Sequence, residues 1–352
     1  MENKPETLVI LSPGFPANEA DTTCMPPQQT FVKALKEVCP GLNIVVLTFQ
    51  YPFIAAEYEW HGVRVIAIGG KEKSRLLRVV TWAKAWAILS KLKRQYQLIG
   101  LLSFWFGECA LIGTYFAKRH GLNHYSWLLG QDAKKGNKYF KWIRPRGDSL
   151  IALSDFITRE VKKNYGISPL QVIPVGIDTS LFTAASLKRD IDILGAGSLI
   201  PLKQYDIFIE AISSLKEVFP GIKAVICGNG PELEKLKAMA KSRDLEKHLL
   251  FAGELPHEKV LGLMQRSKIF LHTSNYEGFG AVLSEALYAG AHVVSFCKPM
   301  AKDFRHHHVV RTMDEMTIEI SAILRNHTRG HDPVLMYPVQ QVAKDMVSLF
   351  VS

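Results

Sequence analysis

Short apolar runs rich in β-branched residues alternate with longer stretches of helical period along the whole chain. The short runs predict strands at 7–11, 44–48, 63–68, 98–102, 124–129, 149–152 and 171–173. In the second half they predict strands at 191–195, 223–227, 249–252, 269–272 and 292–295. The periodic stretches predict helices at 27–38, 74–95, 108–120 and 155–165, then at 204–218, 231–242, 257–266 and 282–289. Such alternation builds parallel sheets from right-handed βαβ units. Both halves do it, so the expectation is an α/β protein of two doubly wound domains. The pattern stops between 173 and 190, where Pro174, Gly176 and a polar stretch intervene, and the join falls there. A last amphipathic stretch, 339–350, follows Pro333 and Pro338 and predicts a terminal helix, either independent or crossing back to the first domain.

Composition agrees with two globular domains: 352 residues, 47% apolar and 22% charged, which excludes disordered and collagen-like chains. The net charge is +10, and it is uneven. Residues 1–185 carry 23 basic and 14 acidic side chains, whereas residues 186–352 carry 20 and 19. The asymmetry points to an anionic ligand or surface for the first half. Cys24, Cys39, Cys109, Cys227 and Cys297 form no CxxC or Cys/His metal spacing and read as reduced thiols of a cytoplasmic protein. The apolar run 8–11 is too short for a secretion signal, and no uncharged 18-residue stretch exists to span a membrane.

Open parallel sheets bind ligands beyond the carboxyl ends of their strands. The turns there are Pro13-Gly14-Phe15-Pro16, Gly195-Ala196-Gly197-Ser198 followed by Lys203, and Gly228-Asn229-Gly230-Pro231-Glu232. The third position of a GxGxxG fingerprint is Ile200 in one and Leu233 in the other, and no GxxxxGK[ST] loop occurs. These absences argue against a nicotinamide-dependent enzyme and a P-loop ATPase. The richest turn runs from Ser274 to Glu285. Gly278 and Gly280 allow close approach to the backbone. The N–H groups of Gly280, Ala281 and Val282 would make an anion site where the next helix starts. Glu277 and Glu285 flank it. Such carboxylates can take the two hydroxyls of a vicinal diol, or can simply favour a helix N-terminus.

Tyr276-Glu277-Gly278-Phe279-Gly280, with Glu285 eight positions after Glu277, resembles the E-x7-E signature of the retaining GT-B glycosyltransferases of family 4. Three further stretches agree in order and spacing. Gly195-Ala196-Gly197-Ser198-Leu199 to Lys203 resembles that family's glycine-rich turn with its phosphate-binding lysine. Val225-Ile226-Cys227-Gly228-Asn229-Gly230-Pro231-Glu232 resembles its G-x-G-P turn. Val172-Ile173-Pro174-Val175-Gly176-Ile177-Asp178, with Phe182 after it, resembles the I-P-N-G-I-D stretch before the second domain. The resemblance covers residues 150–295 closely and the first domain loosely.

The resemblance implies a GT-B fold: two Rossmann-like doubly wound domains with a cleft between them and a C-terminal crossover helix. Residues 1–185 would bind the acceptor, 186–335 the sugar nucleotide, and 336–352 would return to the first domain. Glu285 would hold the donor ribose. Glu277, as a catalytic residue, and the backbone of Gly278, Phe279 and Gly280 would contact the transferring sugar. The amides of Ala281 and Val282, with Lys203, would stabilise the departing diphosphate. Glu254 and Leu255 would lie against the base, and Gly14, Ser198 and Gly228 would line the donor site. Asp132 is the second catalytic candidate; a loop or N-cap role is its plainer alternative. The implied activity is that of a retaining hexosyltransferase acting on a glycan or lipid-linked acceptor in cell-surface polysaccharide or glycolipid assembly. It would need no metal and no cofactor besides the donor substrate. The family has Arg, Asn and His where this chain has Ser198, Val175 and Gln131. Those departures keep open a non-catalytic binding protein with a degenerate donor site. Glycoside hydrolysis fits less well, because one Glu would stand beside an anion site.

Between Lys71 and Lys163 there are 19 basic and six acidic residues, with aromatic side chains interleaved. On the 74–95 helix, Leu76, Val79, Val80, Ala83, Trp86 and Ala87 share a face expected to pack on the sheet, with Arg75, Arg78, Lys84, Lys91 and Lys93 off it. The charge suits a solvated surface, an anionic membrane at which the protein would sit peripherally, or a phosphorylated acceptor. Beyond charge, no motif supports nucleic acid. Asp190-x-Asp192 begins a strand and reads as a solvated pair rather than metal ligands, and His306-His307-His308 reads as a polar loop.

Overall fold

The computed structural model describes residues 4–71, 75–183, 187–326 and 328–351. The chain begins with β1 (Glu6–Gly14), α1 (Pro26–Val38), β2 (Asn43–Tyr51), β3 (Ala56–Trp60), β4 (Val63–Ala67) and α2 (Arg75–Gln95). It continues through β5 (Gln97–Phe104), α3 (Glu108–His120), β6 (Asn123–Leu128), α4 (Lys138–Ile143), β7 (Leu150–Ala152), α5 (Asp155–Tyr165) and β8 (Gln171–Val172). Then come β9 (Ile191–Ala196), α6 (Tyr205–Lys216), β10 (Ala224–Cys227), α7 (Leu233–Ser242), β11 (Leu249–Gly253), α8 (His257–Gln265) and β12 (Ser267–His272). Last are α9 (Ala281–Tyr288), β13 (His292–Ser295), β14 (His307–Val309), α10 (Met313–Arg325) and α11 (Val339–Ser348).

Two compact units result. One is Met1–Gly176 with Val339–Ser352, and the other is Ile177–Pro338. The division expected between 185 and 186 lies outside the described residues. The two ends of the second unit are side by side: Ile177 N–H donates to Tyr337 O at 2.8 Å, and Ile177 bridges to Pro338.

The first unit is an eight-stranded sheet of order β3-β4-β2-β1-β5-β6-β7-β8. All of it is parallel except β3, which pairs antiparallel with β4. Leu8, Val9, Ile10 and Leu11 of the central strand are fully buried, as a strand covered on both faces requires. β3 was not expected from the sequence. Its residues, Ala-Glu-Tyr-Glu-Trp, alternate too much polar character to read as a buried strand, but His61 and Gly62, both at positive φ, form the two-residue hairpin that pairs it. α11 packs on α1, Phe350 just beyond it lies edge-on to Tyr125 at 5.0 Å, and Tyr125 Oη donates to Leu349 O.

α2 corrects the expected burial. Val79, Val80, Ala83 and Ala87 are exposed, and the face on the sheet is Thr81, Ala85, Leu89 and Leu92, with Trp82, Trp86 and Ile88 half-buried beside it. The buried set follows the i, i+4, i+8, i+11 row, one step out of phase with the expected one. The Leu76 side chain and Ser74 lie outside the described residues.

The second unit is an all-parallel six-stranded sheet of order β11-β10-β9-β12-β13-β14. One apolar cluster built on Phe208, Ile212, Ile226 and Ile320 covers one face, and another built on Leu194, Phe270, Leu287 and Val293 covers the other. The triple histidine is not a loop. His307 and His308 belong to the edge strand β14, where His308 Nε2 meets His292 Nδ1 at 3.0 Å and His307 Nε2 meets Ser295 Oγ at 2.9 Å. Helices α4 and α10 were also unforeseen; α10 completes the first of those clusters through Met316, Ile320 and Ile323.

Candidate active site

Strand order in the second unit reverses between β9 and β12, which makes the carboxyl ends of those strands the switch point where such sheets take ligands. β9 leads through Gly197 and exposed Ser198 into a 3₁₀ turn, Pro201–Lys203. β12 ends at His272 and leads into the Glu277–Gly280 loop. Thr273 Oγ1 donates to Lys203 O at 2.8 Å and fastens one turn to the other. Lys203 Nζ then lies 2.6 Å from Glu277 Oε2, and His272 Nε2 lies 3.1 Å from the same oxygen. Burial opposes ionisation of Glu277, but the His272 hydrogen bond and the Lys203 charge outweigh it and bring the carboxyl down to about 2. Burial lowers the pKa of His272 more than Glu277 raises it, so the ring favours its neutral form.

The following helix opens without a side-chain cap. Gly280 adopts φ 72° at its N-cap, and a Cβ there would crowd Leu283 and Glu277 Cγ. The first turn thus presents the amides of Ala281 and Val282 beside Lys203 and Glu277, an arrangement that suits an anion. Gly278 is buried, and Phe279 is buried with its ring 6.1 Å from that of Tyr337, so Phe279 serves the loop through packing.

Glu285 stands one turn further along α9. Its Oε1 is 2.8 Å from His257 Nε2, and both side chains are largely buried. Burial disfavours the charged imidazole, but Glu285 reverses this and raises the His257 pKa. His257 opens α8, directly after the turn Gly253-Glu254-Leu255-Pro256. Gly253 O accepts from Gly228 N at 2.8 Å, and Leu199 N donates to Asn229 O at 2.9 Å, so the three glycine-bearing turns are laced by their backbones. Gly228, at φ 140°, has no room for a side chain: a Cβ would overlap Gly197 O.

Ser198, Lys203, Gly228, Glu254, Leu255, Glu277, Gly278, Phe279 and Gly280 are therefore carried on the carboxyl-end turns of β9 to β12, and Ala281, Val282 and Glu285 on the first two turns of α9. Gly14 ends β1 of the other unit, where a Cβ would sit 3.2 Å from Tyr51 Cβ. Asp132 behaves as its plainer alternative. Oδ2 accepts from Phe106 N at 2.8 Å and Leu129 N at 3.2 Å, and Oδ1 accepts from Gly130 N at 2.8 Å. Burial pushes its carboxyl above the usual range, the amides offsetting only part of this. The side chain fixes its own loop and has little acceptor capacity left for a sugar hydroxyl. Asp190 pairs with Arg266 and Asp192 with Lys268, as a strand start would have them. Among the described residues no cluster of His, Cys, Asp or Glu is fit to hold a metal.

Sequence reasoning missed both histidines. His272 had a signal, a titratable residue closing an apolar strand at the ligand-binding edge. His257 had only its place four residues after Gly253.

A six-stranded parallel sheet of this order, in a chain with a second doubly wound unit, is the architecture of a GT-B glycosyltransferase fold. The family model described as Glycosyltransferase Family 4 matches residues 29–181, and that of Glycosyl transferases group 1 matches residues 178–314. The chain belongs to these glycosyltransferases. It is 28% identical over 164 residues to a phosphatidylinositol N-acetylglucosaminyltransferase subunit of Arabidopsis thaliana, covering 45% of this chain and 37% of that protein. It is 27% identical over 195 residues to glycogen synthase of Mycobacterium tuberculosis, covering 54% of this chain and 47% of that enzyme. The match thus spans less than half the length of either relative. The structure of Anabaena HepE in complex with UDP and glucose superposes with a TM-score of 0.69 at 15% identity, over 98% of this chain and 97% of that one. At that identity the likeness speaks for the fold.

Proposed function

We propose that the protein transfers a hexose, with retention, from a nucleoside-diphosphate sugar to a glycan or lipid-linked acceptor in cell-surface polysaccharide or glycolipid assembly. The observation that carries this reading is the Lys203–Glu277 pair beside the open N-terminus of α9. Glu277 and the adjoining backbone hold the sugar, Glu285 takes the ribose diol, and Lys203 with the Ala281 and Val282 amides stabilises the diphosphate as negative charge develops on it. The leaving phosphate takes the acceptor proton on the face it vacates, so no enzymic nucleophile and no metal is required. The two relatives, an N-acetylglucosaminyltransferase subunit and a glycogen synthase, and the UDP and glucose bound to HepE support a sugar-nucleotide donor. Residues 1–176 bind the acceptor in this reading. The exposed Val79 and Val80 on α2, with Lys84 and Lys91 nearby, support a peripheral seat on an anionic membrane at the cytoplasmic side.

A thermal-shift panel of UDP-, GDP- and ADP-sugars tests the donor reading. Stabilisation by one of them is expected, and none by any would refute it. The exposed Ser198, where the family carries Arg, favours a second reading: a binding protein that holds the donor without turning it over. Donor binding with no hydrolysis or transfer over many hours would select that reading.

A further inference from the structure

The His257–Glu285 contact joins two parts of the site that the donor reading uses separately. Glu285, on the second turn of α9, faces the ribose diol in that reading. His257, the first residue of α8, is anchored to the turn Gly253–Pro256 that meets the base. The 2.8 Å separation of Nε2 and Oε1 requires the proton on Nε2, so the imidazole donates and the carboxylate accepts. With both side chains largely buried, few other rotamers are open to either. A glutamate with three free torsions is an imprecise ribose ligand unless something fixes it. Here one oxygen is held by His257, and the other is the acceptor that remains for a diol.

We infer that His257 is a positioning residue for nucleotide recognition: it holds Glu285 in the rotamer that accepts the ribose hydroxyls and ties that rotamer to the base-side turn. The inference rests on the donor reading above. It differs from a plain α8–α9 staple in one respect. A staple supports every ligand of the site equally, whereas a positioning residue matters only to ligands that carry the diol.

The test is calorimetric titration of the full chain and its His257→Leu, His257→Asn and His257→Gln variants. The probes are UDP, GDP and ADP, each beside its 2′,3′-dideoxy counterpart. In the wild type, the nucleotide that binds is expected to do so about tenfold or more tightly than its dideoxy form, as loss of hydrogen bonds to a charged group implies. His257→Leu should weaken the ribonucleotide by about tenfold and leave the dideoxy form within about twofold. His257→Asn, polar but too short to reach Glu285, should do the same if the leucine disturbs the fold. His257→Gln, whose amide N–H can still donate, should recover most of the difference. Equal weakening of both ligands, or intact discrimination in the Leu and Asn variants, overturns the inference and spares the donor reading. A wild type that does not distinguish the two ligands, or binds none of them, overturns the role of Glu285, and the inference falls with it.

Discussion

Lys203 and Glu277 form a 2.6 Å ion pair between two turns that are 74 residues apart in the chain. In the proposed donor reading, an incoming diphosphate competes with Glu277 for that ammonium. Replacing Glu277 with Gln should leave nucleoside-diphosphate affinity equal or higher while lowering transfer by about a hundredfold or more, the scale of removing one transition-state contact. Parallel titration and initial-rate measurements would decide it, and a large loss of diphosphate affinity would contradict it.

The same carboxyl predicts acid behaviour. Its pKa in the folded protein is about 2, against an ordinary 4.5, so the folded state binds fewer protons than the unfolded one in that range. The stabilisation is whole above pH 4.5 and disappears as pH falls through 2. The difference amounts to roughly 3 kcal/mol. Chemical denaturation of wild type and Glu277→Gln should therefore converge between pH 4.5 and 2, and parallel curves would refute the coupling.

A second acid response begins at higher pH. Rings of His306, His308 and His331 surround His292 with centroids 4.4 to 5.3 Å away, and burial lowers the pKa of all four, His292 to about 3. Each folded pKa is below its unfolded value, so stability is present above pH 6.5 and is lost on acidification. The Tm should start to fall below pH 6.5, and His292→Phe should flatten the upper part of that fall.

Two glycines of the site should answer differently to alanine. Gly228→Ala drives a Cβ into Gly197 O and should cost about 3 kcal/mol or more, with donor binding lost. Gly253→Ala meets no neighbour within 4 Å and carries only the strain of φ 71°, about 1 kcal/mol. Urea midpoints of the two variants should separate accordingly.

On α2, Val80 is 50% exposed, so Val80→Glu should change stability by less than about 0.5 kcal/mol. If the helix seats on a membrane, the same change should reduce sedimentation with vesicles rich in phosphatidylglycerol. Wild-type binding should also weaken with salt. Unaltered sedimentation of the variant would remove the helix from the membrane reading.

The parallel sheets were legible because β-branched runs such as Leu8–Leu11 need cover on both faces and leave little else to form. The glycine-bearing turns at the carboxyl ends of the strands were legible because Gly228 and Gly280 are positions where a side chain would be crowded. The role of Asp132 was legible only in part: Leu129 and Gly130 lie in its own loop, but the Phe106 amide reaches it from another loop only after folding. The buried face of α2 was misread by one step because aliphatic residues occur on both sides of that helix. His257, the partner of Glu285, was hidden for a related reason: a contact between separate turns leaves no mark in local spacing.

The bridge between Ile177 and Pro338 closes the second unit on itself, so that unit is one continuous stretch of chain. The first unit is discontinuous: the stretch before Ile177 is completed by the one after Pro338, whose α11 and Phe350 cover α1 and Tyr125. Severing the chain after Pro338 would therefore bare the first unit and leave the second whole.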